Sequence, residues 1–116
     1  MDLTAVKAFC LSLPGTTEDI KWEDDLCFLV GGKMYTVLGM NNDPVSICFK
    51  TTPDLFEALI TQEGIDPAPY VGRYKWVRLT RLTVLESATL QEYLAASYHL
   101  ILAKLPSRIK NEIGTY

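Results

Sequence analysis

The chain has 116 residues, of which 48% are apolar and 22% are charged, and its net charge is −3. This length and composition predict a single domain over residues 1–116. No stretch approaches the roughly 18 apolar residues that a membrane-spanning helix needs. The N-terminus also lacks the basic start and apolar run of a signal peptide, so we expect a cytoplasmic protein with no membrane partner.

In chain order, the first predicted element is a helix over residues 4–12. Its apolar residues recur at helical spacing, Thr4 is the expected N-cap, and Pro14-Gly15 ends the helix. Residues 16–25 are acidic and predict an irregular segment.

Three strands are predicted next, at residues 26–30, 33–38 and 45–50. Gly31-Gly32 joins the first two, because a two-residue hairpin turn needs positive φ angles. A second turn, over residues 41–44, leads into the third strand. Short turns between consecutive strands predict an antiparallel meander.

The second half of the chain predicts further helices around one more strand. Thr52 is the expected cap of a helix that Pro53 begins. Residues 64–71 predict a loop, and residues 75–82 predict a strand. The elements so far indicate an α+β fold, with an antiparallel sheet packed against helices.

A long helix is predicted near the C-terminus. Residues 89–92 match a capping box, so the helix is expected to run from Thr89 to about Lys104. Pro106 either ends it or begins a short last helix. His99, the only histidine, is expected on the polar face of the long helix.

The three cysteines are Cys10, Cys27 and Cys48, and none of them belongs to a C-x-x-C pair. This spacing indicates neither a structural zinc site nor a redox motif. Each cysteine has apolar neighbours, and a free thiol packs as a small apolar group. We expect three reduced core residues and no cofactor.

Several short motifs occur in a characteristic order. They are Leu13-Pro14-Gly15-Thr16-Thr17-Glu18, Gly32-Lys33-Met34-Tyr35, Lys50 before a Thr-Pro helix start, Lys75-Trp76-Val77, and Ser97-Tyr98 in a late helix. Together they resemble the MmcQ/YjbR family over nearly the whole chain. The resemblance implies a CyaY-like fold, in which a twisted antiparallel sheet has helices packed on one face. It also implies DNA binding through paired β-hairpin wings.

Basic and aromatic residues are the candidates for DNA binding. They are Lys33, Lys50, Arg73, Lys75, Trp76 and Arg78. Binding to phosphates needs cations on one surface, and an aromatic ring beside them can stack on an exposed base. The alternative is that Trp76 lies under a helix and that the cations are solvated or paired with the acidic residues 18–25.

Charge is distributed unevenly along the chain. Residues 1–72 carry four basic and eleven acidic side chains, which gives −7, whereas residues 73–116 carry seven basic and three acidic ones, which gives +4. These two values sum to the net charge of −3. Such a split can create a local positive patch on an acidic protein.

Two further kinds of site were considered. The acidic residues 18–25 could attract a hard cation, but their spacing fits no calcium loop, so we expect a solvated surface and no metal site. Ser97 and His99 are close in sequence, but neighbouring helix positions point in different directions. No known catalytic motif is present, so we expect a protein that is not an enzyme.

The resemblance therefore implies a DNA-binding protein, and we expect it to be a monomer. The alternative function is a non-catalytic adaptor that binds a protein or a small ligand through the face of its sheet. The two functions differ in salt dependence, because only DNA binding loses affinity steeply as salt is raised.

Overall fold

The computed structural model describes residues 1–114. It contains six strands, four α-helices and one 3₁₀ turn. In chain order they are α1 (Leu3–Ser12), β1 (Thr16–Lys21), β2 (Asp25–Val30), β3 (Lys33–Gly39), β4 (Ser46–Lys50), α2 (Pro53–Leu59), β5 (Ile65–Pro67), the 3₁₀ turn (Gly72–Tyr74), β6 (Trp76–Leu79), α3 (Ser87–Ala103) and α4 (Ser107–Ile113).

The strands form one sheet in the order β1-β2-β3-β4-β6-β5, and every neighbouring pair is antiparallel. The meander of β2, β3 and β4 is confirmed, and β6 then pairs with β4 after the excursion through α2. The predicted α+β class is confirmed. The likeness to CyaY stays a prediction.

The helices pack on one face of this sheet. Directly opposed residues share a face, and the row Leu26, Leu38, Ile47, Leu79 and Ile65 runs across five strands into one buried cluster. The long helix α3 packs against β3 and β4, while α2 packs against β5 and β6. None of the helices in the described part of the chain is long and apolar enough to cross a bilayer.

A β-bulge in β3 directs Tyr35 into this core. Phe28 pairs with Thr36, but the next residue of β2, Leu29, pairs with Met34, so Tyr35 is the extra residue. Its ring is fully buried and meets the ring of Tyr98 edge to face, with 5.4 Å between centroids. In a regular strand, side chains alternate between the two faces of the sheet, and this rule alone does not place Tyr35 in the core.

Two predictions about strands were wrong. Residues 16–21 form the edge strand β1 rather than an irregular segment; four of the six residues are exposed, so no apolar alternation marks the strand. Residues 65–67 form the short strand β5 inside the predicted loop, and β6 ends at Leu79 rather than Leu82. Pro67 lies in the outermost strand, a position that proline tolerates.

Two predicted caps were also wrong. Asp2, not Thr4, caps α1 by accepting a hydrogen bond from the Ala5 amide at 2.8 Å. Helix α3 begins two residues before Thr89, and no side chain caps it. The cap of α2 is confirmed, because the Thr52 hydroxyl accepts a hydrogen bond from the Leu55 amide at 3.3 Å.

The remaining local predictions agree with the structure. Gly31 and Gly32 have φ angles of +57° and +79°, as the hairpin turn requires. The long helix ends at Ala103 with Lys104 as its C-cap, close to the predicted end, and the alternative in which Pro106 begins a last helix is the one observed. All three cysteines are free, with Cys10 and Cys27 buried and Cys48 half-buried.

Candidate nucleic-acid interface

One end of the sheet collects positively charged side chains from several elements. We call it the basic end and define it by Lys33, Lys50, Arg73, Lys75, Lys104, Arg108 and Lys110. The β2–β3 hairpin, the end of β4, the start of β6 and the link between α3 and α4 all meet there. Hydrogen bonds, cation–ring contacts and side-chain packing hold these elements together.

Ser97 fixes the end of β4 to α3. Its buried hydroxyl donates a hydrogen bond to the Tyr35 carbonyl at 2.6 Å and accepts one from the Lys50 amide at 3.0 Å. The next residue of α3, Tyr98, is also fully buried, and its hydroxyl donates to the Pro14 carbonyl at 2.5 Å. These bonds make Ser97 and Tyr98 packing residues, and they set the position of the Lys50 backbone.

The side chain of Lys50 reaches the 3₁₀ turn. Its Nζ donates to the Tyr74 carbonyl at 2.7 Å, and the next residue, Thr51, donates its amide to the Lys75 carbonyl at 2.8 Å. Partial burial lowers the pKa of Lys50, and the positive charge of Lys104 lowers it further. Lys50 and Lys104 are therefore close enough to repel each other.

The 3₁₀ turn carries two more cations, each beside an aromatic ring. The Arg73 guanidinium lies 4.8 Å from the centroid of the exposed Tyr74 ring. Lys75 has a φ of +69°, and its Nζ lies 5.0 Å from the centroid of the Phe56 ring. Contacts of this kind fix where a cation sits while leaving its charge unneutralised.

The β2–β3 hairpin is held against the end of the helical layer. A Cβ atom at Gly31 would lie 2.5 Å from Leu105 Cδ1 and 3.1 Å from Ile109 Cγ2, so the hairpin tip packs on the α3–α4 link. Lys33 directly follows this tip and is exposed. The tip is therefore a supported edge rather than a free wing.

Sequence reasoning missed three cations at this end. Lys104 is the C-cap of α3, Arg108 is exposed on α4, and Lys110 donates from Nζ to the Ala103 carbonyl at 3.3 Å. The excess of basic residues in positions 73–116 was the available signal. It pointed to the right part of the chain without showing that α4 folds back to the hairpin.

Two of the six predicted residues are not part of the exposed surface of the basic end. Trp76 is only 8% exposed, so it does not offer a ring for stacking, and the exposed ring beside the cations is that of Tyr74. Arg78 lies on the face of the sheet away from the helices, opposite Cys48 and Asp66. Its charge lowers the pKa of Cys48, but burial dominates and raises that pKa to about 11.

The cations of the basic end are not neutralised by carboxylates. Within residues 1–114, the only ion pair joins Lys21 to Asp19, with 3.9 Å between nitrogen and oxygen. In the predicted alternative, the pairing of these cations with the acidic residues 18–25 is therefore wrong, whereas the burial of Trp76 and the exposure of Lys33 and Arg73 agree with it. Those residues surround the β1–β2 turn, and Asp25 pairs with Gly39 at the opposite end of β3 from Lys33. At about 3.3 Å per residue, the two ends are separated by about 20 Å.

Neither a metal site nor a catalytic pair emerges from the described residues. No group of three or more histidine, cysteine, aspartate or glutamate side chains could hold a metal ion there. The Ser97 hydroxyl is engaged by two backbone groups, whereas His99 is exposed, with its ring 5.1 Å from that of Tyr98. Ser97 and His99 thus do not form a nucleophile–base pair.

A shallow groove of about 290 Å³ lies between α3 and the start of α2. Its lining is mostly apolar, with one lysine and one histidine. The lining residues are Lys50, Thr51, Thr52, Leu55, Tyr93, Ala96, His99, Leu100 and Ala103. The groove adjoins the basic end, because Lys50 belongs to both.

Comparisons with known proteins agree with this architecture. The Deinococcus radiodurans protein DR2400, which contains a domain described as DUF419, is similar over 98% of this chain and 88% of its own, with 25% identity and a TM-score of 0.88. A Pseudomonas syringae structural-genomics target is similar over 87% of this chain and 99% of its own, with 23% identity and a TM-score of 0.72, which shows a shared fold. No curated protein matches. The YjbR family model matches residues 11–100, so the chain belongs to the YjbR family.

Proposed function

We propose that the protein binds DNA through its basic end and that it is not an enzyme. The observation that supports this most directly is the convergence of seven cations on one end of the molecule, none of them in an ion pair within residues 1–114. Unpaired cations on one surface are what contact with a phosphate backbone requires. Four of the seven are residues that the sequence had indicated: Lys33, Lys50, Arg73 and Lys75.

The net charge of −3 does not oppose this proposal, because opposite charges occupy opposite ends of the sheet. The acidic β1–β2 turn lies about 20 Å from Lys33, as the length of β3 shows. At physiological salt the Debye length is about 8 Å, so exposed charges at that separation are largely screened from each other. A phosphate near the basic end therefore experiences mainly the local cations.

Contacts of this kind favour affinity for the backbone over reading of sequence. The cations sit at the tip of a hairpin, at strand ends and on helix α4, rather than along one face of a long helix that could enter the major groove. We therefore propose binding with little sequence preference and a strong dependence on salt. Phosphate contacts position a protein on DNA without reporting its sequence.

The test is fluorescence anisotropy of a labelled mixed-sequence 20-mer duplex at several salt concentrations. The variant K33Q/R73Q/K104Q removes three exposed cations of the basic end. With about 0.9 counterions released per phosphate contact, the slope of log K against log salt should become shallower by about 2 to 3. Affinity at 0.1 M salt should fall by at least about tenfold.

The matched control is K7Q/K21Q/R81Q, which changes the net charge by the same amount. Lys7 and Lys21 lie near β1, and Arg81 follows the far end of β6, so all three are away from the basic end. This control should bind within about twofold of the parent. Equal loss in both variants, or no binding by the parent to either duplex or single-stranded DNA at low salt, would refute the proposal.

The adaptor function has one observation in its favour, which is a groove that lies between α2 and α3 rather than on the predicted face of the sheet. Its apolar walls and Lys50 suit a small molecule with an apolar body and one anionic group. Binding there would depend weakly on salt and would survive removal of Lys33 and Arg73. The variant K33Q/R73Q/K104Q therefore separates the two functions. It should lose affinity for DNA but should still bind such a ligand.

A further inference from the structure

We infer that the loop between β5 and β6 stacks on unpaired bases, so that the protein prefers single-stranded or locally unpaired DNA to a closed duplex. This inference rests on the proposed function and specifies its substrate. The loop, residues 68–75, is called the tyrosine loop here because it presents the rings of Tyr70 and Tyr74. The site adjoins the basic end but uses rings rather than charges.

Tyr70 is the clearest feature of the loop. Its side chain is 98% exposed, more than any other large apolar or aromatic side chain in the described residues, and its φ of +67° lies in the left-handed region. A tyrosine ring buries a large apolar area when it finds a partner, so full exposure leaves that gain unused. The chain offers Tyr70 no partner of its own among residues 1–114.

The loop that carries Tyr70 is held at both ends and in the middle. The Ala68 amide donates to the Trp76 carbonyl at 3.0 Å and continues the pairing of β5 with β6. The Val71 amide donates to the Pro69 carbonyl at 2.8 Å, and the Tyr74 amide donates to the Val71 carbonyl at 3.0 Å. A ring presented by an internally bonded loop loses less conformational entropy on binding than one on a free chain.

Tyr74 supplies a second ring next to the cations. It is 53% exposed, Arg73 covers one of its faces, and its carbonyl accepts the hydrogen bond from Lys50. Rings interleaved with phosphate-binding cations are the arrangement by which proteins bind single strands. In a closed duplex both faces of each internal base are already stacked, so only unpaired bases can use these rings.

The experiment compares a labelled dT20 strand with a mixed-sequence 20-mer duplex by anisotropy at one salt concentration. Y70A should lower the affinity for dT20 by about five- to a hundredfold, the range found when one stacking residue is removed. Its affinity for the duplex should change less than twofold. Y70F should bind like the parent, because the ring and not the hydroxyl does the stacking.

Trp22 provides the matched control. It is also an exposed aromatic residue at positive φ in a turn, 67% exposed, but it lies at the acidic end of the sheet. W22A should bind dT20 like the parent. A 2-aminopurine base placed in the strand gives a second readout, since stacking changes its fluorescence with the parent and should not do so with Y70A.

The outcomes separate the inference from the proposed function. If the parent binds both DNAs with the expected salt dependence while Y70A binds dT20 as the parent does, the inference fails and the proposed function stands. If the parent binds neither DNA, both fail. Equal loss in Y70A and W22A would also overturn the inference, because it would show a general effect of losing an exposed ring.

Discussion

Replacing Ser97 with alanine should destabilise the protein strongly, although only one oxygen atom is removed. The hydroxyl is fully buried and serves two backbone groups on adjacent strands, the Tyr35 carbonyl and the Lys50 amide. Each buried group left without a partner costs about 1–3 kcal/mol. Because the two strands can partly close and pair these groups directly, we expect a loss of about 2–4 kcal/mol in the free energy of unfolding.

Thr36→Val is the matched control for Ser97→Ala. Thr36 is also fully buried, but among residues 1–114 its hydroxyl has only the weakly bonding Cys10 thiol as a polar neighbour, and valine has the same shape. Removing a buried hydroxyl that makes no strong hydrogen bond should leave the free energy of unfolding unchanged or raise it by about 1 kcal/mol. The pair therefore tests whether the bonds of Ser97, rather than buried hydroxyls in general, stabilise the sheet.

The measurement is equilibrium unfolding in urea, followed by tryptophan fluorescence and circular dichroism. With a slope of about 2 kcal/mol per molar urea, Ser97→Ala should lower the midpoint by about 1–2 M. Hydrogen exchange at the Lys50 amide should also accelerate in this variant more than exchange elsewhere in β4. A midpoint within 0.25 M of the parent, or a larger loss in Thr36→Val than in Ser97→Ala, would refute this account of the Ser97 bonds.

Two further predictions concern the hairpin and the thiols. Gly31→Ala should lose about 2–3 kcal/mol of stability in the same urea assay, because the new Cβ would lie 2.5 Å from Leu105 Cδ1 at a φ of +57°. Gly32→Ala, with open space at a φ of +79°, should lose only about 1 kcal/mol, and equal losses would contradict the packing of the tip. The Cys48 thiol, with its pKa raised to about 11, should react with Ellman's reagent at pH 8 about tenfold more slowly than a thiol of ordinary pKa. The thiolate fraction falls about 100-fold, and the greater nucleophilicity of a more basic thiolate restores about tenfold. Arg78→Gln should slow Cys48 further, since Arg78 favours the thiolate, and a reaction as fast as that of a free thiol would contradict the assigned burial.

Local signals were enough to predict much of the fold. The Gly31-Gly32 turn, the Thr52 cap and the long helix ending close to Lys104 all follow from chemistry within a few residues. The edge strand β1 and the short strand β5 could not be predicted in this way. Edge strands with few buried residues carry no apolar alternation, so their pairing is decided by the strand beside them.

The candidate site was harder to predict, because it depends on contacts between distant parts of the chain. Lys50 and Lys75 are brought together because β4 pairs with β6, and Lys104 joins them because Ser97 fixes α3 to β4. The short motifs located Lys33, Lys50, Arg73 and Lys75 in the sequence without indicating that they converge. Trp76 was predicted to bind DNA because basic residues flank it in the sequence. In the structure its side chain is buried at the start of β6.

The basic end contains one pair of lysines, Lys50 and Lys104, whose charges repel each other, and a bound anion would relieve that repulsion. Partial burial lowers the pKa of Lys50, and the positive charge of Lys104 lowers it further, while Lys50 has no ion pair within residues 1–114. A lowered pKa in the folded state means that protonated Lys50 destabilises the fold, and that stability rises as the pH rises from the lowered pKa towards the ordinary value of 10.5.

Carboxylates close in sequence could relieve this repulsion, but they form no ion pair with Lys50 within residues 1–114. Asp54 and Glu57 lie on α2, which begins three residues after Lys50, and neither forms an ion pair with it. If the only role of these cations were to protect the sheet edge from pairing with another chain, ion pairs with such carboxylates would not impair that role. A phosphate bound at the basic end would supply the missing negative charge, raise the pKa of Lys50 and remove the cost. On the proposed function, binding of an anion would therefore relieve a repulsion that the folded chain leaves without a neutralising carboxylate.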